Sequence, residues 1–181
     1  MPRLKAISQD IWLRAGGGPS HYGVCYYMCN FLESNTWLNP GFNGAIEAAL
    51  NFGQGTAMTN YAKVQNSRHA PHVARYPVVA GSLQLNRIYR GRFWIGAIGV
   101  APAPGIIPNH EIIIITGGNP GDIVYFEPNF GFYQPATVGG LTNKGAMENE
   151  IRGLYLPTHQ VQNFEYLNVR NNTGSGPLSF F

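Results

Sequence analysis

The chain has 181 residues, of which 44% are hydrophobic and only 12% are charged, and its formal net charge is +3. That length predicts a single domain covering residues 1–181, because it suits one hydrophobic core and is short for two. Low charge together with 13% aromatic residues excludes an intrinsically disordered chain. The surface must therefore be covered largely by Asn, Gln, Ser, Thr, Tyr and Gly rather than by ion pairs.

The charge and apolar patterns also indicate which partners to expect. The chain has one basic cluster, formed by three arginines with a tyrosine between them: Arg87, Tyr89, Arg90 and Arg92. So small a cluster is more typical of a solvated edge, or of a patch facing an acidic partner, than of a nucleic-acid surface. The longest apolar run, Ile112–Ile115, is far shorter than a membrane span, and the N-terminal residues contain no apolar signal core. We therefore expect no nucleic-acid partner and no membrane span.

The first part of the chain is predicted to be helical. A Gly-rich breaker at residues 16–20 precedes an apolar helix that ends at Asn39. Two further helices are predicted at 43–52 and 56–66. The residues of the first helix that recur at helical spacing, and are expected to enter the core, are Val24, Tyr27, Met28, Phe31 and Leu32.

From about Pro77 the sequence changes to short runs rich in β-branched and aromatic residues, bounded by glycine and proline. Because residues 117–121 form a turn between two of these runs, the pattern predicts an antiparallel meander. A helix is expected at 143–154 and a last strand at 164–169, and helices followed by strands indicate the α+β class. The predicted strands of the meander are Phe93–Val100, His110–Thr116, Ile123–Phe126 and Gly131–Gln134.

The two cysteines, Cys25 and Cys29, lie four residues apart, where a helix places them on one face. A disulfide framework normally joins distant elements, so we expect free thiols and a reducing compartment. Cys25 falls on the first turn of its helix, where unpaired N–H groups and a partial positive charge stabilise a thiolate. Taken alone, it is more typical of a buried small hydrophobic residue. Its interpretation as a nucleophile depends on partners elsewhere in the chain.

His110 and Glu127 are the partners that a nucleophilic cysteine requires. A thiol protease needs an imidazole to exchange the proton of the thiol, and a third group to fix the tautomer of the imidazole. His110 opens one predicted strand and Glu127 ends the next, so a hairpin centred on residues 117–121 brings them roughly opposite one another. The sequence therefore predicts a catalytic triad of Cys25, His110 and Glu127.

Three segments resemble the YopT-type bacterial effector cysteine proteases, a family that includes AvrPphB-like effectors. They are the GVC at 23–25, His110 at the start of an apolar strand, and FEPNFGFY at Phe126–Tyr133; together they span about residues 20–135. The resemblance implies a papain-like fold, with N-terminal helices and a nucleophile helix packed against an antiparallel sheet. It implies a secreted effector or toxin that acts in the host or target-cell cytoplasm and cleaves proteins there, small GTPases or kinases among them. A chaperone or an immunity protein would be a further partner.

The chain departs from the family pattern at several positions. The family has aspartate where this chain has Glu127, so Asn129 is an alternative residue for orienting the histidine, as in Cys-His-Asn enzymes. Glu111 replaces a small residue, and strand alternation predicts that it points away from the site. One oxyanion donor would be the backbone N–H of Cys25. The candidates for a side-chain donor are Gln9, Ser20 and His21.

Other functions remain open for the same residues. The triad also suits a glutamine deamidase or transglutaminase toxin, because a side-chain amide is attacked by the same chemistry. A catalytically inactive papain-like domain that binds a partner is a third hypothesis. Zinc binding by Cys25 and Cys29 would need a second clustered pair, and His69 and His72 flank a proline in a polar segment, so no metal or cofactor is predicted. The aromatic residues Tyr26, Tyr27, Phe31, Trp94, Phe130 and Phe132 are expected mostly in the core, with the last two flanking the site.

Overall fold

The architecture was analysed in a computed structural model, which describes residues 3–6, 24–35, 76–135, 137–138, 141–142, 144–173 and 176–181. The helices predicted at 43–52 and 56–66 lie outside these residues. The same is true of His69 and His72, so their interpretation as a polar loop stays a prediction.

Strands make up most of the described chain. They are β1 (Arg3–Ala6), β2 (Arg87–Ala97), β3 (His110–Thr116), β4 (Ile123–Glu127), β5 (Gly131–Tyr133), β6 (Thr137–Val138), β7 (Leu141–Thr142) and β8 (His159–Asn171). Six of them form one antiparallel sheet in the order β1-β5-β4-β3-β2-β8, and β6 pairs with β7. Because β2 to β5 are neighbours in chain order, the predicted antiparallel meander is confirmed.

Two α-helices and a short 3-10 turn accompany the strands in the described residues. The helices are α1 (Val24–Asn35) and α2 (Lys144–Tyr155), and the 3-10 turn spans Pro177–Phe180. Helix α1 packs against β3, and α2 packs against β8. The combination of an antiparallel sheet with separate helices confirms the α+β class. No helix among the described residues has the length and hydrophobicity that a bilayer crossing requires.

The central strand β3 is buried along its whole length, as expected for a strand covered on both faces. Ile112 and Ile114 belong to the main hydrophobic cluster, together with the α2 residues Met147 and Ile151. His110 has the same strand parity as these isoleucines, so it faces the α2 side of the sheet. The odd-numbered positions of β3 face the other side, where α1 lies.

Strand β2 starts at Arg87 rather than at the predicted Phe93. It lies between β3 and β8 and pairs with both, so most of its side chains are buried whatever their polarity. Gly91 leaves room for the side chain of Ile112, which a Cβ at that position would meet at 2.7 Å. Because polar and small residues occupy these buried positions, the first half of β2 lacks the apolar pattern by which a strand is predicted. Strand β8 is likewise longer than the predicted 164–169, and β1 was not predicted.

Candidate active site

Cys25 is the second residue of α1, so it lies on the first helical turn, as the sequence predicts. It is buried but borders a cleft, whereas Cys29, one turn further on, lies entirely in the interior. Both are free thiols. Burial raises the pKa of Cys29 well above its ordinary value, although the charge of Arg90 opposes the effect. The two thiols of α1 are therefore chemically distinct, and only Cys25 reaches the cleft.

His110 is the first residue of β3, and its neighbour Asn109 fixes the start of the strand. The Asn109 side chain accepts the N–H of Ile95 at 2.8 Å and donates to the Ile95 carbonyl at 2.9 Å. Its backbone N–H donates to the carbonyl of Phe93 at 3.1 Å. The His110 ring packs against the Phe93 ring, with 5.1 Å between centroids. These contacts hold the imidazole at the end of the sheet where β3 begins.

Glu127 ends β4 and meets His110 on the same face of the sheet. Ile113 is paired with Phe126, so the next pair in this register sets Glu127 opposite Ile112, two residues from His110. This is the diagonal relation that long side chains can bridge. Nε2 of His110 and Oε1 of Glu127 form a buried hydrogen bond. The structure thus brings the two residues together in a diagonal relation, close to the roughly opposite placement that the sequence predicts.

Cys25 and His110 border the same cleft, and the influence of Cys25 on the ring favours its charged form. Because Nε2 faces Glu127, proton exchange with a thiol would use the other ring nitrogen, Nδ1. Burial disfavours a charged imidazole, but the charge of Glu127 and the neighbouring Cys25 outweigh it and raise the pKa of His110 to about 10. An imidazole that keeps its proton at neutral pH is suited to stabilise a neighbouring thiolate.

Tyr155, the last residue of α2, is a member of the site that the sequence analysis missed. Its hydroxyl lies 3.3 Å from Nε2 of His110 and accepts a hydrogen bond from Nδ2 of Asn129 at 2.8 Å. Burial and the charge of Glu127 raise the pKa of Tyr155 well above its ordinary value, so the hydroxyl keeps its proton. The helical spacing of 147, 151 and 155 could have placed Tyr155 on the inward face, but no spacing identifies its partners.

Asn129, the alternative orienting residue, supports the pair from its side. Its backbone N–H donates to Oε1 of Glu127 at 3.1 Å, and its side chain holds Tyr155. Of these two candidates for orienting the histidine, Glu127 is the one that hydrogen-bonds to Nε2 of His110. Phe130 packs edge-on against Tyr155 at 5.3 Å between ring centroids, and Phe132 is buried in the core. Of the two aromatics expected to flank the site, Phe130 therefore lies next to it.

A cleft of about 270 Å³ opens beside the thiol and the imidazole. It has an apolar part that includes the exposed Ile107, and a polar part that includes a partly exposed arginine, Arg92. A bound chain could therefore make both apolar and charged contacts close to the reactive sulfur. The described residues that border the cleft are Cys25, Tyr26, Arg92, Ile107, Pro108, Asn109, His110 and Glu111.

The interpretation of the arginine cluster as a solvated edge is wrong for its central member. Arg90 is fully buried and donates to Glu33 at 2.9 Å and to Glu111 at 2.8 Å. Arg92 donates to the other oxygen of Glu111 at 2.6 Å. Glu111 does face the side opposite His110, as alternation requires, but α1 lies on that side. Glu111 therefore borders the same cleft instead of pointing away from the site.

The expected side-chain oxyanion donors Gln9, Ser20 and His21 lie outside the residues that the structure describes. The backbone N–H of Cys25 belongs to the first turn of α1, whose N–H groups have no partner within the helix. Its expected role as an oxyanion donor stays a prediction. Within the described ranges, no group of three or more His, Cys, Asp or Glu side chains is arranged to hold a metal ion.

Comparisons with known proteins found nothing similar to this chain: no family model matches it, and neither does any curated protein or solved structure. The function must therefore be argued from the geometry and chemistry of the site.

Proposed function

We propose that this chain is a papain-like cysteine protease in which Cys25 is the nucleophile, His110 the general acid and base, and Glu127 the residue that orients His110. The observation that carries the proposal is the buried hydrogen bond between His110 and Glu127, beside a cleft that Cys25 and His110 both border. A general base must reach the proton that it moves, and the position of His110 on the same cleft as Cys25 supports this role.

Each residue then has one task in peptide hydrolysis. The thiolate of Cys25 attacks the scissile carbonyl carbon and forms an S–C bond, while the oxyanion accepts a hydrogen bond from the backbone N–H of Cys25. His110 gives its proton to the leaving amine as the C–N bond breaks, which leaves a thioester. It then takes a proton from the water that attacks the thioester, and this proton restores the starting pair as the S–C bond breaks. Glu127 keeps the ring oriented throughout.

We also propose the biological setting that the family resemblance implies, a bacterial effector or toxin acting on proteins of a host or target cell. The segment FEPNFGFY at Phe126–Tyr133 is central to that resemblance. It supplies Glu127 to the hydrogen bond with His110, and Phe130 to the packing around Tyr155. The motif that suggests the family is therefore also the motif that builds the site, which supports the proposal.

Proteolysis in a host-cell lysate tests the proposal. The lysate is incubated with the wild type, with Cys25→Ala, and with Cys29→Ala as the matched control, since it removes the thiol one helical turn further on. New protein N-termini are expected with the wild type and Cys29→Ala but not with Cys25→Ala. Circular dichroism checks that both variants are folded. New termini from all three proteins, or from none, would contradict a Cys25-dependent protease.

The same samples distinguish the other hypotheses. A Cys25-dependent change in the intact mass of a lysate protein, without chain cleavage, would replace the protease with a deamidase or transglutaminase. If no protein changes, and Cys25 reacts with iodoacetamide no faster than free cysteine, the result favours an inactive binding domain.

A further inference from the structure

Four charged side chains form an alternating series that ends at the cleft. Glu33 of α1 accepts from Arg90, and Arg90 donates to Glu111. Glu111 in turn accepts from Arg92. The first three side chains are buried, whereas the side chain of Arg92 is 26% exposed, against 8% for Glu111. Arg92 and Glu111 both border the cleft, and the more exposed of these two charges is the positive one.

Glu111 holds Arg92 in a fixed position. Its Oε2 accepts Nε and Nη2 of Arg90 at 3.2 and 2.8 Å, and its Oε1 accepts Nε of Arg92 at 2.6 Å. With both oxygens engaged, the carboxylate cannot rotate freely, so the guanidinium plane of Arg92 is oriented in advance. In the described part of the chain, the two terminal nitrogens of Arg92 have no partner. Their fork is suited to bind a carboxylate.

We propose that Arg92 forms a carboxylate-binding subsite beside Cys25, and that the protein acts on substrates with a carboxylate close to the bond that it attacks. This inference rests on the proposed function and specifies its substrate class. Arg92 and Cys25 border the same cleft, and the exposed Ile107 adds an apolar contact for the stem of the bound residue. The carboxylate belongs either to an acidic side chain or to the C-terminus of the substrate.

A purely structural role explains Arg92 less well. Glu111 already receives two hydrogen bonds from the fully buried Arg90. A third donor at a more exposed position contributes little to stability, because solvent screens partly exposed ion pairs. The position of Arg92 at the cleft, rather than in the interior, is what substrate recognition requires.

Two alkylating reagents test the subsite without any substrate. Iodoacetate carries a carboxylate, and iodoacetamide is its neutral counterpart of nearly the same size. We measure the ratio of their rate constants at Cys25 by mass spectrometry of the peptide that contains it. The ratio of iodoacetate to iodoacetamide is expected to fall about five- to tenfold in Arg92→Gln, because the charged hydrogen bond to the reagent is lost.

Arg87→Gln is the matched control. It removes the same charge from the same strand, about 17 Å away along β2, where Arg87 contacts the exposed Gln84. The ratio should therefore stay unchanged in this variant. An unchanged ratio in Arg92→Gln, or an equal fall in Arg87→Gln, would overturn the subsite.

The rate constants also separate failure of the subsite from failure of the protease. A Cys25 that reacts no faster than free cysteine, yet prefers iodoacetate through Arg92, would support the subsite and contradict the catalytic proposal. A highly reactive Cys25 with no preference that depends on Arg92 would contradict the subsite alone.

Peptides then distinguish the two sources of the carboxylate. Peptides based on cleavage sites from the lysate are made in two pairs, one with Glu or Gln beside the scissile bond and one with a free or amidated C-terminus. A preference for Glu that Arg92→Gln abolishes identifies an acidic side chain as the ligand. A preference for the free C-terminus that the same variant abolishes identifies the terminal carboxylate. Equal cleavage within both pairs would overturn the inference.

Discussion

At the scale of single residues, the hydroxyl of Tyr155 joins two members of the site, since it contacts His110 and Asn129. We expect Tyr155→Phe to lower kcat about tenfold with little change in KM, because the loss of one positioning hydrogen bond corresponds to about 1 to 1.5 kcal/mol. Steady-state kinetics on a peptide substrate measures both constants.

Tyr166→Phe is the control for this variant. The Tyr166 hydroxyl donates to Glu148 at 2.8 Å, so this change removes the same kind of bond from the same hydrophobic cluster, away from the site. Both variants should lose similar stability in urea, but only Tyr155→Phe should lose kcat. A Tyr155→Phe protein that is less stable and fully active would show a structural role alone.

The charge state of His110 makes stability depend on pH. A group whose pKa is raised on folding stabilises the folded state fully below its unfolded pKa, and ceases to do so as the pH rises through its folded pKa. For His110 these limits are about 6.5 when unfolded and about 10 when folded. We therefore expect the free energy of unfolding to fall between these two pH values.

Glu127→Gln isolates this contribution. It removes the charge that most favours the imidazolium, so the pH dependence over the same range should become flatter. Urea denaturation of both proteins at several pH values measures the difference, and groups that titrate elsewhere cancel in the comparison. Parallel curves for the two proteins would contradict the assignment to the His110–Glu127 pair.

At the scale of elements, α1 carries two thiols in different surroundings. We expect iodoacetamide near neutral pH to alkylate Cys25 at least about tenfold faster than Cys29, because burial protects Cys29 and raises its pKa. Mass spectrometry of the separate peptides measures both rates in one sample. His110→Gln should lower the alkylation rate of Cys25 and leave that of Cys29 unchanged. Equal alkylation rates of the two cysteines in the wild type would contradict an activated Cys25.

Arg90 fastens α1 to the sheet, since it donates to Glu33 and Asn30 of the helix and to Glu111 of β3. Arg90→Met should lower the free energy of unfolding by about 3 to 5 kcal/mol, because it removes the buried cation that Glu33 and Glu111 share. Urea denaturation measures the loss, and Arg87→Ala on the same strand should change stability by less than about 0.5 kcal/mol. A loss below about 1 kcal/mol in Arg90→Met would contradict this role.

Elements with a regular apolar pattern were predictable, and those with buried polar residues were not. The β3–β4 hairpin follows from two apolar runs joined by a Gly- and Pro-rich turn, and the prediction of helix 143–154 differs from α2 by one residue at each end. The first half of β2 contains Arg90 and Gly91, which lack any strand pattern. They suit the strand only because α1 and β3 supply their partners, and such contacts between distant segments leave no local signal.

At the scale of the whole molecule, the sequence predicts those site residues whose positions follow from single elements and from their order along the chain. Cys25 was indicated by its place at a helix start, and His110 and Glu127 by a hairpin that brings them together through local geometry. Tyr155 reaches the site only because α2 packs on the sheet, and Arg92 reaches the cleft only because β2 lies beside β3. Predicting these residues requires the arrangement of elements, which spacing along the chain does not contain.

The reactive centre is assembled across two layers of the fold. Cys25 comes from α1 on one side of the sheet, whereas His110 and Glu127 face α2 on the other side. An opening motion that lifts α1 by a few ångströms would separate sulfur from imidazole while every strand pairing of the sheet survives. Under the proposed function, activity would report whether α1 is docked, and a molecule that is still largely folded would already be inactive.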